Sequence, residues 1–502
     1  MPTFYNFREN GLNYSFDDIF VPVDAFRQGN LWVWGTDTFG ALGTNNGGNV
    51  YTPVTTLTGG NNWISVSYSY VHCTAIKTDG TLWTWGRNGY GQLGTNDTTH
   101  RATPVTTFAG GTNWKQASGL YAPAAIKTDG TLWLWGYNPF GQLGVNDTTN
   151  RATPVTTFAG GTNWKQVSGS GSHTAAIKTD GTLWIWGSND YEALGINASG
   201  NRTTPVTTFA GGTNWKQVSA SGNITAAIKT DGTLWIWGYN AQGQLGTNDT
   251  TNRNTPVTTF AGGTNWKQVS AGYSNTAAIK TDGTLWIWGN GDNGKLGNGV
   301  TTGNISTPVT TFAGGTNWKQ VSFGDSHCAA IKTDGTLWTW GYGGRGRLGN
   351  GVIEGNISTP VTTFAGGTNW KQVSVGKFHC AAIKTDGTLW TWGALIPEFF
   401  KNKNSGVLGN SSINGTSTPV TTFAGGTNWK QVTSANRTNN IAAIKTDGTL
   451  WTWGASNYGQ LGNGVTTGDI STPVTTFAGG TNWKQVSDGN PLAAIRYIDP
   501  VL

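Results

Sequence analysis

Apolar and polar positions along this chain follow one short pattern that recurs through almost its whole length. In residues 277–289 the pattern reads Ala-Ala-Ile-Lys-Thr-Asp-Gly-Thr-Leu-Trp-Ile-Trp-Gly, two apolar runs on either side of an Asp-Gly turn. Short apolar runs that flank Asp-Gly predict a β-hairpin. This hairpin is the unit from which the rest of the fold can be predicted.

The Trp-x-Trp-Gly ending of the hairpin occurs nine times, with its second tryptophan at Trp34, Trp85, Trp135, Trp186, Trp237, Trp288, Trp340, Trp392 and Trp453. Successive copies lie 50 to 61 residues apart, and such a period indicates a repeat architecture. Each unit adds two further strand-like segments, such as residues 255–260 and 266–270, and contains no helix-length apolar periodicity. Four short strands per unit predict a propeller blade.

The two ends of the repeat region complement each other. The repeats begin at residues 29–35 with the second half of the hairpin and finish at residues 493–498 with the first half. Pairing of the two ends would supply the strand that each lacks and would remove exposed strand edges, which favour aggregation. We therefore predict an all-β, closed β-propeller of nine four-stranded blades over residues 29–502, with the terminal blade completed by both ends of the chain.

Composition limits the classes of function. The 27 tryptophans amount to three per unit, so none remains for a separate aromatic site, and three cysteines cannot form a disulfide scaffold. The sequence lacks an apolar run long enough to span a membrane, and its first residues lack the features of a signal peptide. The net charge of +6 combines −2 in residues 1–28 with +8 in the repeats, and this excess matches the eight lysines of Asn-Trp-Lys-Gln. Charge spread evenly around an array is not the clustered footprint of a nucleic-acid-binding protein, so we expect no nucleic-acid partner.

Three motifs place the chain beside a known family: Leu-Trp-x-Trp-Gly, Tyr-Gly-Gln-Leu-Gly at 90–94 and Ser-His-Cys-Ala-Ala-Ile at 326–331. Over residues 29–502 the chain resembles the regulator of chromosome condensation (RCC1-like) repeat family. Kelch repeats have a similar period but do not usually carry Gly-Gln-Leu-Gly. The resemblance implies a β-propeller whose relatives mostly bind other proteins; the namesake is a nucleotide exchange factor for a small GTPase and docks on chromatin. This chain departs from the namesake in having nine units rather than seven, an acidic N-terminal segment and no clear wedge insertion.

The chemistry-bearing residues favour a protein without a catalytic centre. Four histidines share one repeat position, and the pairs His327-Cys328 and His379-Cys380 could face each other across adjacent blades as a zinc set. The alternative is that the cysteines are small buried residues. Because the same position accepts Ile224 and Pro491 and the spacing is not a zinc signature, we expect no metal and no cofactor. The repeated Lys-Thr-Asp-Gly is explained by turn formation. Paired carboxylates and Ser/His/Asp sets do not occur at a unique place, so we predict that the protein is not an enzyme.

Candidate interface residues lie where the repeat is interrupted. Residues 1–28 are predicted to form a strap packed on the ring or an anchor to a larger assembly. Residues 394–405 are an insertion in the eighth unit that contacts a partner or packs on the rim or on residues 1–28. The candidate interface residues are Phe4, Tyr5, Phe7, Phe16, Phe20, Phe26, Leu395, Ile396, Phe399, Phe400, Lys401 and Lys403. The candidate rim residues, which follow Trp-Gly where the units differ most, are Phe39, Tyr90, Phe140, Tyr191 and Tyr458.

These observations predict a non-enzymatic structural or protein-interaction propeller. Our leading hypothesis is a virion component, such as a tailed-virus appendage or capsid decoration, docked through its N-terminal segment; otherwise we expect a cytoplasmic protein. One alternative is a regulator of a small GTPase. Another is a carbohydrate-binding adhesin, because exposed aromatic residues recur and would make a glycan a possible partner.

Overall fold

The fold is known from a computed structural model. The structure describes residues 3–5, 29–60, 62–68, 72–117, 122–272, 274–324, 326–394, 406–412, 414–434, 439–456, 459–465, 468–486 and 492–497. Within these ranges the chain forms nine four-stranded antiparallel blades. We number each blade by the Trp-x-Trp-Gly it contains, so that blade 1 contains Trp34 and blade 9 contains Trp453.

Every blade has the same strand order, from an inner strand through a second and a third to an outer strand. From blade 1 to blade 9, the inner strands are Trp483–Val486, Trp63–Tyr68, Trp114–Ala117, Trp164–Gly169, Trp215–Ser221, Trp266–Ala271, Trp318–Phe323, Trp370–Val375 and Trp429–Ser434. The second strands are Leu492–Tyr497, His72–Lys77, Ala124–Lys127, His173–Lys178, Ile224–Lys229, Asn275–Lys280, His327–Lys332, His379–Lys384 and Asn440–Lys445.

The third strands carry Trp-x-Trp-Gly, and the outer strands carry the Thr-Pro-Val-Thr segment. The third strands are Gly29–Gly35, Leu82–Gly86, Leu132–Gly136, Leu183–Gly187, Leu234–Gly238, Leu285–Asn290, Leu337–Tyr342, Leu389–Gly393 and Leu450–Gly454. The outer strands are Val50–Thr55, Arg101–Thr106, Arg151–Thr156, Arg202–Thr207, Arg253–Thr258, Asn304–Thr310, Asn356–Thr362, Thr416–Thr421 and Ile470–Thr475. The helical segments in the described ranges are 3₁₀ turns at Thr38–Gly40, Asp190–Glu192, Asp292–Gly294 and Gly344–Gly346.

Blade 1 joins the two ends of the chain. Its third strand, Gly29–Gly35, pairs antiparallel with Leu492–Tyr497 in a continuous register that runs from Gly29 opposite Tyr497 to Trp34 opposite Leu492. The prediction of a nine-bladed propeller whose terminal blade is completed by both ends is therefore confirmed. The outer strand of blade 5, predicted over residues 255–260, is Arg253–Thr258: it extends into the preceding polar residues and ends before the exposed Phe260.

Tryptophans supply the largest fully buried side chains, and most of their indole N–H groups have an acceptor; Trp32 Nε1 of blade 1 is buried without one among the described residues. In blade 4, Trp164 donates to the Gly160 carbonyl at 2.9 Å and Trp184 donates to Thr182 Oγ1 at 2.9 Å. Trp186 is fully buried and donates to the Gln142 carbonyl of blade 3 at 2.8 Å. Each buried large side chain contributes on the order of 1.5–3 kcal/mol, provided that its polar atoms are satisfied. The tryptophans therefore serve packing, as the count of three per unit predicts.

The joint between Trp186 and blade 3 repeats around the whole ring. The second tryptophan of each Trp-x-Trp donates to a carbonyl in the preceding blade in all nine cases. Trp34 of blade 1 donates to the Gln460 carbonyl of blade 9 at 3.0 Å. The joint between the last blade and the first thus has the same chemistry as the others.

Inner strands of neighbouring blades are linked by glutamine and serine side chains. Gln217 Nε2 donates to the Val269 carbonyl at 3.2 Å, and Gln217 Oε1 accepts the Val269 N–H at 3.4 Å. Ser219 Oγ accepts the Ala271 N–H at 3.2 Å. The side-chain amide thereby pairs with the N–H and carbonyl of the next inner strand as the backbone of a neighbouring strand would. Because the inner strands contact one another from blade to blade, they surround the axis of the ring.

The strand order defines two faces. The variable face consists of the loops that follow Trp-Gly and the loops that join inner to second strands; residues 36–49 and 375–378 are examples. The constant face consists of the Lys-Thr-Asp-Gly hairpins and the Phe-Ala-Gly-Gly-Thr-Asn turns, such as residues 127–130 and 158–163. The N-terminal strand Thr3–Tyr5 pairs in parallel with the inner strand Trp318–Phe323 of blade 7, which adds a fifth strand to that blade.

Candidate interaction faces

A buried asparagine organises the variable loop of blade 2. Asn88 Oδ1 accepts the Leu93 N–H at 2.8 Å, and its Nδ2 donates to the Asp97 carbonyl at 2.8 Å. Asn138 and Asn240 make the corresponding bonds to Leu143 and Leu245. Since these contacts fix the two ends of each loop, the side chains between them project from a rigid base, which is a common arrangement in binding surfaces.

Aromatic side chains form an arc across the variable face from blade 1 to blade 5. Tyr90 and Tyr137 have ring centroids 4.7 Å apart, and Tyr137 lies 6.5 Å from Phe140. The Arg87 guanidinium links Phe39 to Tyr90, at 5.3 and 5.6 Å from their ring centroids. We call the following residues the aromatic arc: Phe39, Arg87, Tyr90, Tyr137, Phe140, Tyr191 and Tyr239.

The arc includes four of the five predicted rim residues. Phe39 and Tyr191 are the most exposed, at 42% and 52%, and both have a left-handed backbone, with φ of 62° and 56°. Tyr191 and Tyr239 pair across blades 4 and 5 with centroids 4.8 Å apart. The predicted rim residues did not include Arg87, Tyr137 and Tyr239, although residues 87–90 and 137–140 are stretches in which the units differ. Tyr458 lies outside the described residues.

A cavity of about 330 Å³ opens on the variable face at blades 6 to 8; its lining residues are Asn293, Ser326, Tyr342, Arg345, Arg347, Lys377 and Phe378. Arg347 is buried, with Nε donating to the Gly344 carbonyl at 2.8 Å and Nη1 donating to Ser326 Oγ at 2.9 Å. The Arg345 guanidinium lies 4.5 Å from the Phe378 ring centroid. The cavity thus combines basic and aromatic side chains, which suits a polar or anionic group of a partner.

The four histidines of the shared repeat position and the three cysteines lie beneath the variable face and are buried. His327 Nε2 lies 3.4 Å from Cys380 Sγ across blades 7 and 8, so one His–Cys pair of the hypothetical zinc set does meet. Cys328 Sγ instead approaches the Lys295 carbonyl at 3.6 Å. Among the described residues, no three His, Cys, Asp or Glu side chains are placed to hold a metal ion. Burial lowers the pKa of His379 to about 3 and raises the pKa of the Cys380 thiol, which keeps both groups neutral.

The constant face carries an apolar ring that the sequence analysis did not identify. The residue after each outer strand's buried threonine is exposed by 61% to 75% in all nine blades. We call these residues the phenylalanine ring: Leu57, Phe108, Phe158, Phe209, Phe260, Phe312, Phe364, Phe423 and Phe477. A signal was present, because an aromatic residue directly before Ala-Gly-Gly lies in a turn, where burial is rare.

The lysines of Asn-Trp-Lys-Gln also lie on the constant face. Each follows the first residue of an inner strand, as Lys165 follows Trp164 and Lys216 follows Trp215. Their spacing around the ring is even, as the sequence implies, apart from blade 2, where Ile64 stands at this position. However, all of them stand at the same end of the inner strands, so the positive charge is gathered on one face rather than spread over the array.

Most predicted interface residues cannot be placed. Phe4 and Tyr5 lie in the strand Thr3–Tyr5, whereas Phe7, Phe16, Phe20 and Phe26 lie outside the described residues. The insertion residues Leu395, Ile396, Phe399, Phe400, Lys401 and Lys403 also lie outside them. The anchor at residues 1–28 and the contact surface at residues 394–405 therefore stay predictions. Within the described part of the chain, no helix is long and apolar enough to cross a bilayer.

Sequence comparison identifies the repeats. The profile of the RCC1-like domain matches residues 23–265, and that of the regulator of chromosome condensation (RCC1) repeat matches residues 282–331, 334–383 and 447–493. A second profile of the RCC1 repeat matches residues 266–295 and 318–347. Together these profiles cover most of the propeller.

Curated relatives match only part of the chain. The Ultraviolet-B receptor UVR8 of Arabidopsis thaliana is 32% identical over 296 residues, which is 58% of this chain and 65% of the receptor. The E3 ubiquitin-protein ligase HERC2 of Homo sapiens is 31% identical over 228 residues, which is 44% of this chain and 5% of the ligase. The chain thus spans less than two thirds of these relatives. Yeast RCC1 (Prp20), in its crystal structure with Kap60, shares the fold at a TM-score of 0.50 and 18% identity, covering 71% of this chain and 88% of that one.

Proposed function

Because the chain belongs to the RCC1-like repeat family, we propose that it is a non-catalytic propeller that binds a protein partner through its variable face. The aromatic arc carries this proposal. Its side chains lie above the blades, whereas the tryptophans account for the core. Tyrosine, arginine and phenylalanine gathered on a rigid base have the composition of a protein-binding hot spot.

The cavity at blades 6 to 8 supports the same proposal. Arg347 occupies the position that holds glutamine in the Gly-Gln-Leu-Gly motif of blade 3, and Arg345 stands at the rim position with φ of 68°. A left-handed backbone at a residue other than glycine is unfavourable and often marks a functional position. In our proposal the aromatic arc provides contact area, and the cavity receives a polar group of the same partner.

The experiment compares partner recovery by three purified forms of the protein. The arc variant carries Tyr90→Ser and Tyr137→Ser, and the control carries the similar changes Phe158→Ser and Phe209→Ser on the constant face. We expect the wild type and the control to recover the same partner from an extract of the source cell, and the arc variant to lose it. Equal recovery by all three forms would contradict the proposal.

A second candidate function is a structural component of a larger assembly, such as the virion component that the sequence suggested. The phenylalanine ring favours it, because one apolar contact repeated nine times suits attachment to an extended surface. Location in a virus particle rests on residues 1–28 and stays a prediction. Purification of the native assembly tests it: the candidate requires this chain to co-purify with a particle and to be released when residues 1–28 are deleted.

The two remaining alternatives need separate assays. Exchange activity on a small GTPase would be measured as release of a fluorescent guanine nucleotide, and measurable acceleration would favour a regulator. Binding on a glycan array that is lost after changes at Tyr90 or Phe140 would favour an adhesin. In our proposal neither activity is present, and the arc binds protein.

A further inference from the structure

The phenylalanine ring is the largest exposed feature that neither the core nor the variable face uses. Each of its members follows a buried threonine, such as Thr157 before Phe158 and Thr208 before Phe209. A buried threonine is followed by an exposed phenylalanine in every blade except blade 1, where buried Thr56 is followed by exposed Leu57. Single exposed apolar residues are common, but the same position exposed nine times is a repeated surface property.

Symmetry makes this surface flat. Equivalent positions in blades joined by equivalent contacts share one height and one distance from the axis, so the ring lies in one plane. An aromatic side chain offers about 150–250 Å², of which some two thirds is exposed here, so the ring presents roughly 1,000 Å² of apolar surface. That area is as large as one side of a standard protein interface.

The same face carries unmatched positive charge. Lys115, Lys165, Lys216, Lys319, Lys371 and Lys430 are exposed at the starts of the inner strands, and Lys267 is half-exposed. Three ion pairs between described residues join Arg101, Arg151 and Arg253 to aspartates, and none of these lysines takes part in them. The hairpin aspartates do not neutralise these lysines, because each lies beside a lysine of its own hairpin, as Asp129 lies beside Lys127.

The positive charge of the constant face distinguishes between two flat surfaces that could cover it. A second copy of the chain, stacked face to face, would place one lysine ring against another at the same distance from the axis, which is repulsive. An anionic lipid surface is planar, attracts lysines and accepts aromatic rings at the boundary of its headgroups. We propose that the constant face docks on the surface of an anionic bilayer, with the phenylalanine ring entering the interface and the lysines contacting the headgroups.

This inference is independent of partner binding by the variable face, since it concerns the opposite face of the ring; it gives the phenylalanine ring a different occupant from the structural assembly considered above. It leaves the variable face free to bind a partner while the protein rests on the membrane. The two proposals also have separate readouts, because vesicle binding requires no protein partner and partner recovery from an extract requires no vesicle.

Vesicle cosedimentation tests the proposal. The probes are vesicles of phosphatidylcholine alone and vesicles of phosphatidylcholine mixed with phosphatidylserine, at low and high salt. The apolar variant combines Phe158→Ser, Phe209→Ser and Phe260→Ser, and the charge variant combines Lys165→Glu, Lys216→Glu and Lys267→Glu. The matched control combines Phe39→Ser and Tyr191→Ser on the variable face, which also removes exposed aromatic area.

We expect the wild type and the control to bind the anionic vesicles and not to bind the vesicles of phosphatidylcholine alone. Binding should weaken at least about tenfold in the apolar variant and should fall with added salt and in the charge variant. Unchanged thermal unfolding of the exposed-site variants shows that they are folded. The proposal is overturned if the wild type stays in solution with anionic vesicles at low salt, or if the apolar variant binds as well as the wild type. It is also overturned if sedimentation without lipid shows a dimer that the apolar variant cannot form, because the occupant is then a second copy.

Discussion

Closure of the ring by blade 1 can be tested with a disulfide that joins the two ends of the chain. Asn30 and Arg496 lie opposite each other in the antiparallel ladder between Gly29–Gly35 and Leu492–Tyr497. Directly opposite residues bring their Cβ atoms to about 4.5–5.5 Å, close to the distance that a disulfide needs. We expect the Asn30→Cys, Arg496→Cys variant to form an intramolecular disulfide. The natural cysteines Cys73, Cys328 and Cys380 are buried and should not compete.

The expected magnitude follows from the length of chain that the bond closes. In the chain-entropy relation, a loop of about 470 residues corresponds to about 6 kcal/mol of stabilisation, as an upper limit. The control pair Lys229→Cys, Thr233→Cys occupies the same hairpin position in blade 5 and closes only about 5 residues, for which the relation gives about 2 kcal/mol. Both pairs also remove a cation that lies against two tryptophan rings, Arg496 in blade 1 and Lys229 in blade 5.

The assay compares the oxidised and reduced forms of each variant by denaturant unfolding, so that the loss of the original side chains cancels. Oxidation should raise the unfolding midpoint of the blade 1 variant more than that of the blade 5 variant. It should also increase the mobility of the blade 1 variant on a non-reducing denaturing gel, because the denatured chain is then circular. Free thiols after oxidation, or only intermolecular dimers, would show that the ends are not paired and would refute the closure of the ring.

Three further predictions concern stability. Gly94 has φ of 68° and lies so close to Pro154 and Trp135 that an added Cβ would be 2.9 Å from the proline ring; we expect Gly94→Ala to cost about 2–4 kcal/mol in urea unfolding. Gly110→Ala, at φ of 54° in open space, should cost only about 1 kcal/mol, and equal costs would contradict the packing argument. Burial lowers the pKa of His173 to about 4, below its unfolded value of about 6.5, so the native state resists protonation; stability should fall by up to about 3 kcal/mol as pH falls from about 6.5 to about 4. His173→Asn should reduce that slope, to which the buried His379 also contributes, and an unchanged slope would exclude His173 as a cause. Gln217→Leu removes both bonds to Val269 and should cost about 1–2 kcal/mol, whereas Lys216→Leu beside it should be nearly neutral; similar costs would show that the amide bridge is not stabilising.

The sequence predicted the blade, the number of blades and their closure because these depend on local pattern and on counting. The Asp-Gly turn indicates a hairpin without tertiary information, and the half-hairpins at residues 29–35 and 493–498 indicate how the ends meet. A repeat period also gives the angular position of each residue around the ring.

The period does not give the distance of a residue from the axis or the face on which it lies. The lysines such as Lys165 were therefore interpreted as evenly spread charge. The phenylalanine ring was overlooked, although phenylalanine occupies the position of Phe158 in every unit after the first. The contact of His327 with Cys380 was foreseen as one possibility, but its distance depends on how two blades pack. Arg347 lines the cavity at blades 6 to 8, where it replaces the glutamine of Gly-Gln-Leu-Gly. A periodic pattern does not indicate which of such single differences between units matters for function.

Blade 1 combines strands from both ends of the chain, so it is completed last during synthesis on the ribosome. The strand Gly29–Gly35 emerges early, whereas its partner Leu492–Tyr497 emerges about 460 residues later, which at 5–20 residues per second takes roughly half a minute to a minute and a half. During that interval the strand exposes unpaired backbone groups and the apolar side chains of Val33 and Trp34, which the complete ring buries. Blades 2 to 9 can each form as soon as their own residues have been made. Premature termination near the end of the gene would therefore leave eight complete blades and an incomplete blade 1 whose strand Gly29–Gly35 has an unpaired edge.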